Sequence, residues 1–225
     1  MRDPLGGFDW QLLYQRYDAM CTRFQAHSKH LEAVEPPVSS DRMLYYHLLT
    51  RFQRDRGSPA VGDYEAMLYW KLYSHHRALG NLSSWLRPEK RKGISDGLAS
   101  LVADLPLSVD RNLSQVLDLI RIVGRHGLVG MKSSTALPMR TTFLHFFYPN
   151  VVPIFDKMVL QAVGIREKGA NQKLEVLREY VPFAWELADR HATRVDGLPE
   201  TPVRLTDMAL WVVRSTGNHG EGCSA

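Results

Sequence analysis

Cysteine, strand-like alternation and long apolar runs are all scarce in this chain. Two cysteines occur in 225 residues, Cys21 and Cys223, too few and too far apart for a disulfide framework or a four-cysteine cluster. A reducing cytoplasm is therefore the expected home. No uninterrupted apolar stretch approaches the roughly 20 residues that span a bilayer, and the opening MRDPLGGFDW lacks the apolar core of a secretory signal. These absences predict a soluble chain with no membrane partner. Period-two patterns flanked by hairpin turns are missing, as are internal repeats, so the expected fold class is all-α. Excess charge is modest too: a net +4 suits a nucleic-acid binder but also many enzymes, and excludes neither.

What is present is helical periodicity. Apolar residues from Phe8 to about Val34 (Trp10, Leu13, Tyr14, Tyr17, Met20, Phe24) predict one long first helix, stopped by Glu35-Pro36-Pro37. Ser40 and Asp41 cap a second from Met43 to Gln53, and RDRGSPAVG reads as a loop. Asp63 opens a third, DYEAMLYWKLYS, whose large side chains on nearly every face predict burial or a cleft wall. Asn81 to Leu86 reads as a short helical turn, RPEKRK as an exposed basic loop and Ile94 to Leu105 as a weak helix. Ser108 or Asp110 caps a regular stripe (Leu113, Val116, Leu117, Ile120, Val123) that ends at Gly124 and Gly127. Further helices are expected over Met139 to Phe147, Asp156 to Val163, Asn171 to about Arg194 with Pro182 kinking or dividing it, and Val203 to Arg214. The Gly-rich tail, 216–225, is expected to be disordered.

One further absence is local. Between Asp118 and Asp156 there is no Asp or Glu, while Arg121, Arg125, His126, Lys132, Arg140 and His145 all fall there. A partly buried helix pair with few charges accounts for this, and so does a phosphate contact. The connection GMKSSTALPMRTT offers Lys132, Ser133, Ser134, Arg140 and Thr141 around the start of a helix with free N–H groups. Such contacts hold DNA without reading its sequence.

Taken in order, DRNLSQVLDLIRIVGRHG, LVGMKSSTALP, MRTTFLHFF, YPNVVPIF and DKMVLQAVG resemble a helix, a hairpin, a second helix, an apolar loop and an acid-capped helix of the helix-hairpin-helix DNA glycosylase superfamily. Ile154, Phe155, Asp156, Val159 and Leu160 match the setting of that family's invariant acid, so the resemblance implies a catalytic role for Asp156. It also implies a two-lobed helical unit over 1–215 with a central cleft. One lobe would span about 36–148, with the hairpin-like connection at 126–138; the other would join 1–35 to 149–215. Two features depart from the family. LVGMKSSTALP is longer than the usual hairpin and lacks its paired glycines, and Pro138, Met139 and Arg140 stand where strand-cutting members carry a lysine. Arginine cannot form a Schiff base.

The implied protein is a monofunctional DNA glycosylase with no metal and no cofactor, acting as a monomer on double-stranded DNA whose target base is flipped out. Relatives of this general type include enzymes that excise glucosylated hydroxymethylcytosine from phage DNA in antiviral defence, as well as repair enzymes. Tyr46, Tyr69, Trp70, Trp85 and His145, with Tyr45, are candidates to line the base pocket, although core packing accounts for any single aromatic among them. RPEKRK is either a solvated loop or a second phosphate contact. His27 and His30 share a helix face without a third ligand in sequence. The alternative function is a non-catalytic helical DNA-binding or protein-interaction module in which Asp156 only caps its helix.

Overall fold

A computed structural model describes residues 1–54, 59–192 and 198–216. The middle of the RDRGSPAVG loop, the end of the helix expected to reach Arg194, Cys223 and the tail lie outside the described residues. Within them the fold is all-α, with no strand. Ten α-helices are present: α1 (Leu13–Met20), α2 (Asp41–Arg54), α3 (Val61–Leu72), α4 (His76–Trp85), α5 (Pro88–Ala103), α6 (Leu113–His126), α7 (Leu137–Phe147), α8 (Lys157–Ala162), α9 (Leu174–His191) and α10 (Pro202–Thr216).

The long first helix is not formed. A 3-10 turn, Trp10–Leu12, leads into α1, which ends at Met20 with Cys21 as its C-cap; a second 3-10 turn, Lys29–Leu31, follows with Ser28 as its cap. Tertiary contacts override the local periodicity here. Phe24 packs edge-on against Tyr69 of α3 and Tyr73 at its C-cap, and His30 pairs with Glu65 of the same helix at 2.8 Å, drawing the segment across α3 instead of along a straight axis.

Other boundaries moved for local reasons. Ser40 does cap α2, accepting from the Met43 N–H at 3.2 Å, but Asp41 turns inward and is buried. The apolar face of Ala78, Leu79, Leu82 and Leu86 extends the expected short turn into the full helix α4. RPEKRK is no loop: Pro88, whose missing N–H costs nothing at a first turn, starts α5, and Arg91 is already engaged with Glu65 at 2.5 Å. Asn112, not Ser108 or Asp110, caps α6, accepting from the N–H groups of Ser114 and Gln115, and Gly127 closes that helix in the left-handed conformation at φ 61°. Pro182 stays inside α9 without dividing it, its ring on the exposed side.

α3 and α7 are buried on almost every face and form the centre. α3 packs on α2, α4, α5 and α7; α7 also meets α2 and α6. A second set of contacts joins α10 to α1, α8 and α9. One continuous apolar core, from Leu5 to Val212, runs through both sets.

Candidate active site

Residues 148–155 connect α7 to α8 without regular structure, and only Asn150 among them is exposed. Irregular backbone in an interior must still satisfy its polar groups, and side chains from the surrounding helices do this. Trp185 of α9 donates to the Val151 carbonyl at 2.7 Å, His145 Nδ1 to that of Val152 at 2.7 Å, and Tyr180 to that of Ile154 at 3.3 Å. Thr201 donates to the Pro149 carbonyl at 2.9 Å. Thr141 Oγ1 accepts the Phe155 N–H at 3.1 Å. The loop is held at most of its length, and Asp156 comes next.

Asp156 is the N-cap of α8. Its Oδ1 accepts from the N–H groups of Met158 at 2.8 Å and Val159 at 3.1 Å, while Oδ2 accepts from Lys71 Nζ at 2.8 Å. Burial works to raise the carboxyl's pKa, but the Lys71 ammonium and the two amides outweigh it and hold the group below 3.8. Asp156 is an ionised, oriented carboxylate.

It opens into a cavity of about 540 Å³, a size that suits a small heterocyclic ligand. Trp70, Lys71, Tyr73 and His75 come from α3 and its C-terminal end; Thr135, Ala136, Pro138 and Met139 come from the connection before α7 and its first turn; Asp156, Lys157 and Met158 come from α8 and its cap; Arg204, Asp207 and Trp211 come from α10. Burial, and then the nearby Lys71, lower the pKa of His75, so this imidazole is neutral at pH 7.

A charged network forms another side. Arg204 is 1 % exposed, donates to the Tyr17 hydroxyl at 2.8 Å and pairs with Asp207; Tyr17 in turn donates to Asp41 at 2.9 Å. The Arg204 guanidinium also lies 4.5 Å from the Tyr45 ring centre and 5.2 Å from that of Trp70. Burial raises the Asp207 carboxyl, which Arg204 opposes and Asp156 reinforces, leaving it at about 6.

The candidate residues divide sharply. Asp156 and Trp70 line the cavity. Lys132, Ser133 and Ser134 are exposed in the connection whose next residues form the cavity edge. Arg140 is corrected: it is buried, and its guanidinium donates to the carbonyls of Met131 at 2.9 Å and Ser133 at 2.8 Å, so it shapes the connection from inside. Gly124 makes room for it, since a Cβ there would lie 2.5 Å from the guanidinium. Thr141 is corrected likewise, its hydroxyl being spent on the loop and on the Leu137 carbonyl. The start of α7 offers fewer N–H groups than expected, because Pro138 has none and those of Met139 and Arg140 bond to the Ala136 carbonyl.

Among the expected pocket residues, His145 is fully buried, a loop anchor whose Nε2 accepts from Tyr45 at 3.0 Å. Burial lowers its pKa to about 3, so it is neutral. Tyr69 donates to the Gln25 carbonyl at 3.0 Å, and Tyr46 bonds Glu200; neither lines the cavity. Trp85 packs beside Gly130 and is also outside it. His30 is committed to Glu65, and among the described residues no group of three His, Cys, Asp or Glu side chains is placed to hold a metal ion. No helix there is long and apolar enough to cross a membrane.

Lys71, His75, Arg204 and Asp207 are the site residues that the sequence did not single out. Arg204 and Asp207 carry a faint signal, two opposite charges three residues apart on a helix whose other buried residues are apolar except for Thr206. Lys71 carries another, the one cation amid the large side chains of DYEAMLYWKLYS. Comparison of the chain with family models, with curated proteins and with solved structures finds no match.

Proposed function

We propose that the chain is a DNA glycosylase that hydrolyses the N-glycosidic bond of a damaged or modified base flipped out of double-stranded DNA. The observation that carries this reading is the Asp156 carboxylate, ionised and fixed by its own helix and by Lys71, facing a cavity of nucleobase size. As the bond breaks, positive charge grows on the deoxyribose, and a stationary carboxylate near C1′ stabilises that oxocarbenium-like state and orients the attacking water. His75, neutral and in the same cavity, is able to take the water's proton. The exposed Lys132, Ser133 and Ser134 would meet the DNA backbone beside the cavity. In this reading the α2–α7 set and the set of α1, α8, α9 and α10 are the two lobes that embrace the base.

The reaction needs no cofactor: water adds at C1′, the base leaves with a proton, and an abasic site remains. Lys71 is the amine at Asp156, donating to that carboxylate at 2.8 Å, and in this reading it remains the carboxylate's partner while water, not an amine, attacks C1′. The proposed outcome is monofunctional. Substrates range over the modified bases of repair and of phage DNA, glucosylated hydroxymethylcytosine included.

Incubation with duplexes carrying uracil, alkylated, oxidised or glucosylated bases, followed by alkali, is expected to give nicks with wild type. Asp156→Asn is expected to give none while still binding DNA. Borohydride is expected to trap no covalent adduct; a trapped Lys71 or Lys157 would show that the enzyme also cuts the strand. The second reading, a non-catalytic DNA-binding or interaction module, draws on the same ion pair, because a carboxylate already satisfied by Lys71 and two amides needs no substrate. It prevails if no base is released from any of these duplexes or from phage DNA with modified cytosines.

A further inference from the structure

A second carboxyl group lines the same cavity as Asp156. Asp207 lies on α10, the helix packed on α1, α8 and α9, and Arg204 engages one of its oxygens, Oδ2. The other oxygen, Oδ1, has no hydrogen-bond partner among the described residues and is not sealed in; 7 % of the side chain remains accessible. Arg204 therefore fixes the carboxyl on one side and leaves it open on the other. The titratable groups around it are Arg204 on its own helix, Tyr17 of α1, Tyr45 of α2, Lys71 of α3, Asp156 at the cap of α8 and Tyr180 of α9. Burial raises all three phenols, which are neutral at pH 7. Burial and the Asp156 charge favour a protonated Asp207, Arg204 and Lys71 an ionised one, and the balance falls at about 6. One cavity thus holds an ionised carboxylate and a second carboxyl able to carry a proton near neutral pH.

Hydrolysis of an N-glycosidic bond makes two demands on such a cavity. Positive charge growing on the sugar calls for an anion, and the base, which departs with both electrons of the C1′–N bond, calls for a proton. Asp156 answers the first. We infer that Asp207 answers the second, as the general acid that protonates the leaving base through Oδ1. The inference rests on the glycosylase reading and adds to it the residue that activates the leaving group. As the C1′–N bond breaks, its electron pair passes to the base and the Asp207 proton follows it. The carboxylate left behind completes an ion pair with Arg204. Water forms the new C1′–O bond and gives its proton to His75, and solvent returns a proton to Asp207 before the next turnover. Two other proton carriers of the lining are occupied, Lys71 with Asp156 at 2.8 Å and the Tyr17 hydroxyl with Asp41 at 2.9 Å. Such an acid serves only bases that would otherwise leave as anions. A cationic base such as N7-methylguanine leaves neutral and needs none.

The test is single-turnover base release from pH 5 to 9, at saturating protein, from duplexes carrying the neutral bases uracil, hypoxanthine, 8-oxoguanine or glucosylated hydroxymethylcytosine, and from one carrying N7-methylguanine. For a neutral base, the wild-type rate is expected to fall about tenfold per pH unit above an apparent pKa near 6, because the acid must be protonated to act. Asp207→Asn is expected to lose about 100-fold at pH 6 and to show no such limb, in protein that melts cooperatively and binds the duplex within threefold of wild type. Asp207→Glu, which retains an ionisable acid, is expected to keep a limb with a displaced midpoint. The inference is overturned by a wild-type rate without the limb, by a limb that persists in folded Asp207→Asn, by a loss under threefold at pH 6, or by release confined to N7-methylguanine. Where Asp207→Asn does not fold, Asp207→Glu decides, and a rate and midpoint equal to those of wild type overturn the inference. The two readings fail distinguishably. No release from any duplex removes both, whereas Asp156-dependent release of a neutral base without an Asp207-dependent limb removes only the acid.

Discussion

Asp156 shows at the scale of one residue how a cap and a proposed functional group coincide. An acid at an N-cap is favoured by unpaired amides whatever else it does, typically by about 0.5–2 kcal/mol; the same amides and Lys71 keep this one ionised inside a cavity wall. Removing Lys71 separates the two contributions. With the cation gone, burial is the largest influence left on Asp156 and pushes its pKa upward. A carboxylate needed in its ionised form then fails at a higher pH. Lys71→Met is therefore expected to move the acidic limb of the pH–rate profile for base release to higher pH, while wild type keeps its activity down to that carboxyl's depressed pKa. A limb that stays in place, measured from pH 3 to 8, would mean that another group controls it. The variant also leaves one Asp156 oxygen without its charged donor, a loss of about 1.5–3 kcal/mol measurable by urea unfolding.

Elements decide whether that residue stays put. α7 is less a scaffold for DNA contacts than a rail to which the 148–155 loop is fastened, through Thr141 and His145. Thr141→Val keeps the shape of the side chain and deletes the acceptor of the Phe155 N–H. It is expected to cost about 1–3 kcal/mol of stability, read from urea midpoints. The activity loss is expected to exceed the unfolded fraction, because the freed amide adjoins Asp156. Thr141→Ser, which retains the oxygen, should restore most of both.

The sequence exposed these elements unevenly. α3, α6 and α10 were legible because their stripes or all-round apolar faces are products of burial itself. The first helix was not, since nothing in its periodicity records that Phe24 and His30 are claimed by α3. Arg140 and Thr141 looked like phosphate ligands by residue type and position. Only the tertiary arrangement shows their polar atoms turned inward. Asp156 was legible because its cap, its apolar predecessors and its helix are all local. Lys71 and Arg204 reach the same cavity from 85 residues before it and from the other end of the fold, a distance that no motif spans.

At the scale of the whole molecule, two buried groups set opposing responses to acid. His145 has a folded-state pKa of about 3, below its ordinary 6.5, so the unfolded chain binds the proton first and stability is lost as pH falls below 6.5. Asp207 lies at about 6, above its ordinary 3.8, so the folded chain binds the proton first and stability is gained as pH falls from 6 towards 4. Each limb is worth at most about 1.4 kcal/mol per pH unit. Asp207→Asn removes the gain and keeps the loss. Its unfolding free energy is therefore expected to fall more steeply than that of wild type between pH 6 and pH 4, and His145→Gln less steeply. Identical slopes in all three proteins would show that neither group titrates between its folded and unfolded values.

The fastened loop has a consequence for how this chain can vary. A helix tolerates change on its outer face, but a loop pinned by Trp185, His145, Tyr180 and Thr141 at four points between Val151 and Phe155 cannot gain or lose a residue without putting every later peptide out of register with its partner. Side chains along it are free to change so long as they remain apolar. The count from Thr141 to Asp156 and from His145 to Asp156 is not. Proteins that share this site should keep a threonine and a histidine at those intervals before the acid, on an otherwise unrelated text: a ruler rather than a motif.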